Sequence, residues 1–570
     1  MEEGRLAYIE STPKVRVIEP LPPQPKRRDA LALLALWAIV TAYNLFKPFH
    51  IDDTAYVTIA QWIGRHPLHP MHGTLNWLGT EQPISKIIHP HLYFYILAAW
   101  GRVFGFSEPS LHLVQSLAAL ACILLFHRLA RTLIPASALW ATALLILGPA
   151  FIVEQNLMTD IPLLAVWLLF FSTLICDARS ERQTRRYLIA ALACSAAILI
   201  KYSSAVLVVM LCLSLLLERR RKQAWTVLCP LLAVAAWSLF NYFDYGHIHI
   251  LTPPDQLPHD LHRLVFFIVD WIVGIGALSP LGILVAVQSK PRWVKSQAAI
   301  YAGLAAAFAL LAAAVALRVL STHGSNWVCA ADFAINGSLV CMAFVVSTLD
   351  LPWRTLWRNA LPPNVAARLY LVLWIALTSF AYIKASPFIA SRHILLILPA
   401  LTLLLAMHWG ASLTPASKRF ALALTVVIST GLCVSDWRFA EYYKTEAAEL
   451  ARSLPNTAPI WAAGHWGWQW YATHNGFQEL DIHSSHLQPG DLFIWPEGVD
   501  REMPEAPLHL QLLRTDIQPY PLLNLFCTGQ PAHFYEFSLA GPWALSRNCI
   551  NRIDVYRVVT PSQATASPPN

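Results

Sequence analysis

The chain has 570 residues, of which 56% are hydrophobic and only 13% charged, and its mean hydropathy is +0.47. Soluble domains carry roughly 25% charged residues, so this composition excludes an ordinary soluble protein and indicates a polytopic membrane protein. The net charge of +7 comes largely from the loops between apolar segments. Membrane topology explains such a charge, so we expect no nucleic-acid partner.

Residues 1–29 are polar and proline-rich, and they end in the basic run Lys26, Arg27 and Arg28. A signal peptide would place an apolar core directly after a short basic stretch, and this segment has no such core. We therefore predict a disordered cytoplasmic tail. The first apolar run after it then acts as an uncleaved membrane anchor.

Apolar runs recur along the chain, and a membrane span needs about 20 mainly apolar residues. We predict thirteen transmembrane helices, at residues 30–47, 110–131, 136–153, 160–177, 186–200, 203–217, 224–243, 264–288, 297–319, 331–349, 366–384, 391–409 and 418–435. The loops that share a side with the tail carry two to four Lys or Arg residues each, whereas the other loops carry few. This pattern predicts a multi-pass protein of the cell inner (plasma) membrane, with the N-terminus cytoplasmic and the C-terminus periplasmic or extracellular.

The segment 89–105 is apolar but short, aromatic and partly polar. Counting it as a span would reverse the charge pattern of every later loop. We predict instead an amphipathic helix that lies along the outer membrane surface. It belongs to a periplasmic first loop of residues 48–109, within a membrane domain of residues 30–435.

From residue 436 the sequence changes character, and we predict a small extracytoplasmic α/β domain over 436–560, followed by a disordered tail over 561–570. A short helix is expected at "TEAAELARSLP", and β-like runs separated by Pro, Gly and Asp turns follow it. The run "WAAGHWGWQWY" favours a strand with aromatics in the core over a sugar-stacking surface. Cys527 and Cys549 form either a disulfide in this oxidising compartment or two unpaired thiols.

Charged residues gather where the predicted spans reach the outer side. Asp52 and Asp53 follow the first span, and Glu154 and Asp160 belong to the second outer loop, which has no basic residue. A structural explanation is open for each residue. Acidic residues in a first helical turn interact favourably with the helix dipole, and a lysine at the end of a span can extend its ammonium to the membrane interface. If the carboxylates and the cations instead converge on one site, the carboxylates can deprotonate a hydroxyl group and the cations can bind an anionic lipid phosphate.

The cations of this group come from two places. Lys201 stands between two apolar runs, a position where a lysine is normally paired or faces a cavity. Lys384 and the "SRH" motif with Arg392 and His393 form another cationic spot at the outer ends of the spans 366–384 and 391–409. We therefore predict one site at the outer boundary of the membrane.

These segments resemble the GT-C glycosyltransferases. The Asp52–Asp53 pair resembles the Asp–Glu pair of that superfamily. The runs "HPHLYFYILAAWGRVFGF" and "NLMTDIPLLAVWLLFF" are similar to its protein O-mannosyltransferase-like and lipid A aminoarabinose transferase-like branch. The resemblance covers roughly residues 30–250, and "ASRHILLILPAL" extends it. It implies a GT-C fold of about thirteen transmembrane helices with a periplasmic C-terminal domain.

The resemblance also implies roles for single residues. Asp52 matches the catalytic aspartate, Asp53 stands where the family has Glu, and His89 stands where some relatives have Lys. The predicted catalytic residues are Asp52, Asp53 and Asp160. The predicted phosphate-binding residues are Lys201, Tyr202, His89, Arg392 and His393.

We therefore predict an inverting glycosyltransferase that uses an Asp general base. It would move a sugar from a polyprenyl-phosphate donor to a hydroxyl of a protein, lipid or polysaccharide acceptor. The sequence has no Walker loop or GxGxxG fingerprint, which fits a lipid-linked donor better than a nucleotide sugar.

We expect no required cofactor; the alternative is a divalent cation on Asp52, Asp53, Glu154 and Asp160. The competing hypothesis for the function is a membrane transporter or lipid flippase of the cell-envelope glycan pathway. Transporters often show internal repeats and place ionisable groups near the midplane. This sequence shows no internal repeat, and its ionisable groups gather at the outer boundary.

Overall fold

The computed structural model describes residues 27–77, 79–87, 89–252, 261–288, 322–353, 361–410, 412–455, 457–505, 507–519, 524–525, 534–537, 540–545 and 550–561. The predicted tails up to residue 26 and from residue 562, the predicted span 297–319, and both Cys527 and Cys549 lie outside these residues. The number of spans and the disulfide therefore stay predictions.

The first half of the chain is helical because apolar runs in lipid satisfy their backbone hydrogen bonds only within a helix. Its elements are α1 (Arg27–Asn44), α2 (Asp53–Arg65), β1 (Thr74–Asn76), β2 (Glu81–Pro83), α3 (Leu92–Phe104), α4 (Glu108–Leu133), α5 (Ala138–Ile146), α6 (Pro149–Ile152), α7 (Asp160–Cys176), α8 (Gln183–Ile200), α9 (Val206–Leu217) and α10 (Leu228–Tyr245). β1 and β2 form an antiparallel hairpin in the first outer loop.

The second half continues with helices and ends in a sheet. Its elements are α11 (Leu261–Leu278), α12 (Leu281–Gln288), α13 (Thr322–Leu349), α14 (Pro363–Ala385), α15 (Ser391–Leu395), α16 (Leu398–Trp409), α17 (Pro415–Ser453), β3 (Ile460–Ala462), α18 (Trp466–His474), β4 (Gln478–Glu479), β5 (Leu492–Pro496), β6 (Leu510–Pro519) and β7 (Ile550–Val558).

Among the described residues, six helices are long and apolar enough to cross a membrane. They are Glu108–Leu133, Arg221–Tyr245, Leu261–Leu278, Trp327–Leu349, Pro363–Ala385 and Pro415–Ser453. The outward side of α10 is an example of the surface that these helices present: Leu232, Leu239 and Phe243 are all exposed there. A row of large exposed apolar side chains is stable against lipid and not against water. The fold class is a polytopic α-helical membrane protein, as composition predicts.

Several predicted spans are interrupted in the structure. The predicted span 136–153 divides into α5 and α6 at Gly148 and Pro149, and the predicted span 264–288 divides into α11 and α12 before Leu281, where Pro280 follows Ser279. The cause is local, because proline has no N–H to continue a helix and clashes with the preceding turn. The predicted span 391–409 likewise divides into α15 and α16, with Pro399 in the first turn of the latter.

The last predicted span is longer than expected. Instead of ending at residue 435 before a separate short helix, α17 continues as one helix of 39 residues to Ser453. Residues 436–453 contain no proline or glycine and are rich in Ala and Glu, which favour helix. The junction at residue 436 is therefore a continuous helix that carries the chain from the apolar segment to the sheet.

The sheet has five strands in the order β4-β3-β5-β7-β6. β3 pairs in parallel with β4 and β5, whereas β7 is antiparallel to both β5 and β6. The prediction of a strand through "WAAGHWGWQWY" was wrong after residue 462, because α18 follows β3 there. Gly464 adopts a φ of +88°, which ends the strand, and Trp468 of the helix is fully buried.

A buried ionic network joins the first outer loop to α17. The Lys47 ammonium lies 2.9 Å from the Asp436 carboxylate, and both side chains are 2% exposed. The same carboxylate accepts a hydrogen bond of 2.7 Å from the Tyr535 hydroxyl, and the His50 ring lies 3.5 Å away. Charges so deeply buried are stable only when paired.

This pairing leads to a testable expectation. Asp436→Asn leaves the Lys47 charge buried without its counter-charge, so the free energy of unfolding should fall by about 3–5 kcal/mol. The double variant Lys47→Met/Asp436→Asn removes both charges and should recover at least half of that loss. Thermal unfolding in detergent measures both. An equal loss in the single and double variants would mean that the ion pair contributes nothing specific.

Candidate active site

The carboxylate of Asp52 faces a buried arginine. Asp52 is the N-cap residue of α2, and its Oδ2 lies 3.8 Å from Nη2 of Arg392 on α15. Nη1 of Arg392 lies 3.5 Å from the carbonyl oxygen of Tyr535, and the guanidinium lies 5.3 Å from the ring centre of Phe388. The Asp52 side chain keeps 25% of its surface exposed, so a substrate can reach this carboxylate.

The electrostatic surroundings of Asp52 are balanced. Burial raises the pKa of its carboxyl above the ordinary 3.8, and the Arg392 guanidinium opposes that rise. The carboxylates of Asp53 and Asp160 raise the pKa further, and the Lys201 ammonium lowers it. The ionised form that a general base requires therefore depends on the two cations.

Asp53 points elsewhere, as expected for adjacent positions on a helix. Its carboxylate is fully buried and accepts hydrogen bonds from the backbone N–H groups of His50, at 2.9 Å, and Leu157, at 2.6 Å. His112 lies 3.9 Å from the same carboxylate. Asp53 thus ties the beginning of α2 to the loop before α7 and is closed to a substrate.

The second charged pair joins α7 to α8. Asp160 is the first residue of α7, and its Oδ1 accepts a hydrogen bond of 2.9 Å from the Lys201 ammonium. Lys201 follows the last residue of α8, where the backbone becomes extended at φ −153° and ψ 123°. The side chains are 2% and 11% exposed. A cation so close to the membrane boundary is therefore paired, in agreement with the general cost of burying charge.

Tyr56 connects the two pairs. It lies one turn after Asp52 on α2, and Asp52, Asp160 and Arg392 all act on its hydroxyl electrostatically. The four side chains therefore form one cluster, with Lys201 at its edge. Sequence reasoning missed Tyr56, although its spacing of four residues from Asp52 places both on one face of a helix.

Tyr382 and His393 cover the Lys201 side of the cluster. The Lys201 ammonium lies 6.0 Å from the ring centre of Tyr382, whose hydroxyl is 3.1 Å from that of Ser203. The His393 ring stacks on Tyr382 with ring centres 4.5 Å apart and an angle of 27°. His393 therefore lies beside the cluster as predicted, through an aromatic contact that the sequence did not reveal.

Tyr202 turns away from the charged cluster. Its hydroxyl is 2.8 Å from Nδ1 of His249 and accepts a hydrogen bond of 2.9 Å from Trp237. The His249 ring lies 6.2 Å from that of His91. His89 acts electrostatically both on His91 of this aromatic group and on His393 beside the charged cluster. Of the predicted phosphate-binding residues, Tyr202 is thus the one that the structure places in a neighbouring aromatic group.

Glu154 is the unusual carboxyl of the site. It is fully buried, and within the described part of the chain neither of its oxygens has a hydrogen-bond partner. Burial raises the pKa of Glu154 to about 8, although Arg392 opposes the rise. Glu154 is therefore protonated at neutral pH and adds no charge to the cluster.

The predicted divalent-cation ligands do not converge in the described residues. No three of the ligand atoms of Asp52, Asp53, Glu154 and Asp160 lie within 4.8 Å of one another there. Each of the ionised members has a different partner, which is Arg392, two backbone N–H groups or Lys201. The cluster as arranged is suited to an anion between its cations.

A polar cavity of about 500 Å³ lies between the first outer loop and α18. Thr54 and Thr58 of α2 line it, together with Trp77 and Trp470. These threonines are about 200° and 240° around the helix from Asp52, at 100° per residue. Helix α2 therefore separates this cavity from the charged cluster, and we assign it no part in the chemistry.

Residues 88–242 match the family model of dolichyl-phosphate-mannose-protein mannosyltransferases. This segment includes Asp160, Lys201 and the loop with Glu154. Over these residues, the match confirms the resemblance to the protein O-mannosyltransferase-like branch. No curated protein matches the chain in sequence.

The chain also shows likenesses of low identity to solved structures. ArnT from Cupriavidus metallidurans bound to undecaprenyl phosphate is 14% identical, with a TM-score of 0.37 over 82% of this chain and 92% of that one. The archaeal oligosaccharyltransferase AglB from Archaeoglobus fulgidus is 10% identical, with a TM-score of 0.42 over 80% and 64%. The protein O-mannosyltransferase complex of S. cerevisiae bound to the sugar donor is 13% identical, with a TM-score of 0.31 over 40% and 35%.

The buried Glu154 generates a prediction about pH. Because its pKa is raised in the folded protein, the folded state holds a proton that the unfolded state releases, and stability falls as the pH rises from about 4.5 to 8. The loss amounts to about 5 kcal/mol at its full extent. Glu154→Gln mimics the protonated form, so the thermal midpoint in detergent should depend less on pH and exceed that of the parent at pH 8. An unchanged pH dependence would contradict a protonated Glu154.

Proposed function

We propose that this chain, which is related over residues 88–242 to protein mannosyltransferases, is a multi-pass glycosyltransferase of the inner (plasma) membrane. It moves a sugar from a polyprenyl-phosphate donor to a hydroxyl group of a protein, lipid or polysaccharide acceptor. The reaction takes place at the outer membrane surface, inverts the anomeric centre and uses Asp52 as the general base.

One observation carries the proposal. A partly exposed carboxylate, Asp52, faces a buried guanidinium, Arg392, at 3.8 Å. Beside them stands a second cation, Lys201, held by Asp160 at 2.9 Å. The arrangement offers a base that a substrate can reach and two cations for an anion.

The transfer is a single displacement. The acceptor oxygen attacks the anomeric carbon while its proton passes to a carboxylate oxygen of Asp52. The bond between the anomeric carbon and the phosphate oxygen breaks, and the phosphate leaves with both electrons. One carboxylate is enough for this step, whereas a retaining mechanism would need a second carboxylate as nucleophile. Asp53 cannot supply it because backbone N–H groups occupy its oxygens.

The cations stabilise the departing phosphate. Negative charge grows on the lipid phosphate in the transition state, and cations already in position stabilise it without a cost of reorganisation. Arg392 is buried on α15, and Lys201 is held by Asp160, so both are preorganised. Arg392 also lowers the pKa of Asp52 and so favours the ionised carboxylate that takes the proton.

The remaining predicted phosphate ligands take supporting roles in this proposal. His393 would orient Tyr382 and through it the Lys201 side of the cluster, given the stacked rings at 4.5 Å. His89 lies where a donor phosphate could meet both His393 and His91. Tyr202, which is bound to His249 and Trp237, would shape the wall of the donor site and not contact the phosphate.

The orientation follows from loop charge. The Lys- and Arg-rich loops favour a cytoplasmic N-terminus, and in this proposal the cluster and the five-stranded sheet lie on the outer side. The tight contacts between this sheet unit and the first outer loop agree with a common side, since the Phe49 N–H donates a hydrogen bond of 2.8 Å to the Tyr471 hydroxyl.

Replacing the proposed base gives the most direct genetic test. Asp52→Asn keeps the size of the side chain but cannot take a proton, so kcat for sugar transfer should fall by about 100- to 10,000-fold. The assay uses purified protein, a radiolabelled polyprenyl-phosphate sugar and a panel of hydroxyl acceptors. The matched control is Asp350→Asn, whose side chain is 53% exposed and pairs with His408.

This assay, together with one on protein in vesicles with the same labelled lipid, separates the rival functions. Full transfer by Asp52→Asn would remove the general base from the proposal. Movement of the labelled lipid between leaflets of a vesicle, with no product formed on any acceptor, would instead support a flippase. Equal expression and thermal midpoints of the two variants establish that the difference is chemical.

Lys201 tests the donor site. Lys201→Met removes a charged hydrogen-bond donor to the phosphate, so the KM for the lipid donor should rise by about 10- to 100-fold. The variant also leaves the Asp160 carboxylate without its counter-charge. The double variant Lys201→Met/Asp160→Asn removes that unpaired charge. If the double variant regained the parental KM, Lys201 would serve only to neutralise Asp160.

A further inference from the structure

A histidine-rich turn after α2 meets the end of α10. His69 Nδ1 lies 2.8 Å from Oδ1 of Asp244, and His72 Nε2 lies 3.1 Å from the same oxygen. His72 Nε2 is also 2.8 Å from the backbone carbonyl oxygen of Asp244. The ligand atoms of the three side chains all lie within 4.8 Å of one another. Among the described residues, this is the single group of three or more such side chains with that geometry.

The carboxylate supplies a second, independent observation. The Asp244 side chain is 2% exposed, yet within the described part of the chain its Oδ2 has no hydrogen-bond partner. Two imidazoles converge on the other oxygen. Hydrogen bonding alone leaves a buried carboxylate oxygen unsatisfied, which is costly. A cation bound by the three side chains would accept lone pairs of the imidazoles and the carboxylate that no hydrogen bond uses.

The turn is held in place before any ion arrives. The Trp62 indole N–H donates a hydrogen bond of 2.9 Å to the His69 carbonyl, and the Tyr95 hydroxyl donates one of 2.6 Å to the Pro67 carbonyl. These bonds set the backbone between α2 and the hairpin. The two imidazoles, three positions apart, therefore present their nitrogens to Asp244 without rearrangement.

We propose that His69, His72 and Asp244 bind one late first-row divalent metal ion of the zinc class. Two imidazole nitrogens and one carboxylate oxygen are a donor set that zinc takes at about 2.0–2.2 Å, with a fourth position left for water or the Asp244 carbonyl oxygen. The ion clamps the far end of α2 to α10. The imidazoles are 63% and 48% exposed, so the ion can enter from the outer solution.

This clamp is separate from the charged cluster. It lies at the C-terminal end of α2, whereas Asp52 is at the N-terminal end of the same helix. Its ligands are none of the carboxylates proposed for the reaction. The ion therefore stabilises the first outer loop and does not enter the transfer step.

Binding is measured on the untagged full-length protein in detergent, stripped with a chelator and titrated with Zn²⁺ against a chromogenic competitor. We expect one tightly bound Zn²⁺ per chain. His72→Ala and Asp244→Asn should each weaken it by more than the roughly 10- to 100-fold that loss of an outer-shell partner costs, because the first removes a direct ligand and the second removes the ligand charge. The matched control is His483→Ala, which removes an exposed imidazole paired with Glu505 at 2.9 Å.

Thermal unfolding provides a second readout. A ligand that binds only the folded state raises its stability with concentration, so Zn²⁺ should raise the thermal midpoint of the parent and of His483→Ala but not of His72→Ala. The His69→Gln variant, which keeps much of the side-chain bulk, should behave like His72→Ala. No stoichiometric Zn²⁺ on the parent, or equal binding by the parent and His72→Ala, would overturn the proposal.

Discussion

The site depends on one fully buried carboxylate. Asp53 accepts hydrogen bonds from the backbone N–H groups of His50, after the first helix, and of Leu157, just before α7. These loops are about a hundred positions apart in the chain, and the Asp53 carboxylate bridges them. Because Asp52 and Asp160 are carried on either side of this junction, their places in one cluster follow from it. The cost of burying Asp53 is met by charge-assisted hydrogen bonds to the backbone.

Charge balance is the second constraint. At the cluster, Asp52 faces Arg392 and Asp160 faces Lys201, while Glu154 stays protonated. Two carboxylates and two cations make a neutral group that tolerates burial at the membrane boundary. In the proposed reaction, a donor phosphate would compete with the carboxylates for the cations, and this competition would link donor binding to the basicity of Asp52.

Much of this arrangement could be predicted from the sequence. Charged residues are costly in lipid, so Asp52, Asp160, Lys201 and Arg392 stood out at the ends of apolar runs, and the structure brings them together. The different surroundings of Asp52 and Asp53 could not be predicted, because helical periodicity shows in which directions two side chains point and not which residues they contact. Leu157, which binds Asp53, is 104 positions away in the chain, and Arg392, which faces Asp52, is farther still.

Other features needed the tertiary structure. Tyr202 follows Lys201 directly, yet its hydroxyl meets His249 in a different group, because the backbone is extended at Lys201 and then turns. The aromatic run after Gly464 is a helix because the glycine turns the chain there, whereas composition favoured a strand. The uninterrupted α17 also crosses an expected boundary at residue 436, where polarity changes but helix propensity does not.

The most direct measurement is an experimental structure of the full-length protein with a polyprenyl phosphate bound. We expect phosphate oxygens within hydrogen-bond distance of the Arg392 guanidinium or the Lys201 ammonium, with the Asp52 carboxylate open toward the side where the anomeric carbon of a donor would lie. A phosphate bound elsewhere, with the Asp52–Arg392 and Asp160–Lys201 pairs closed and unchanged, would contradict it.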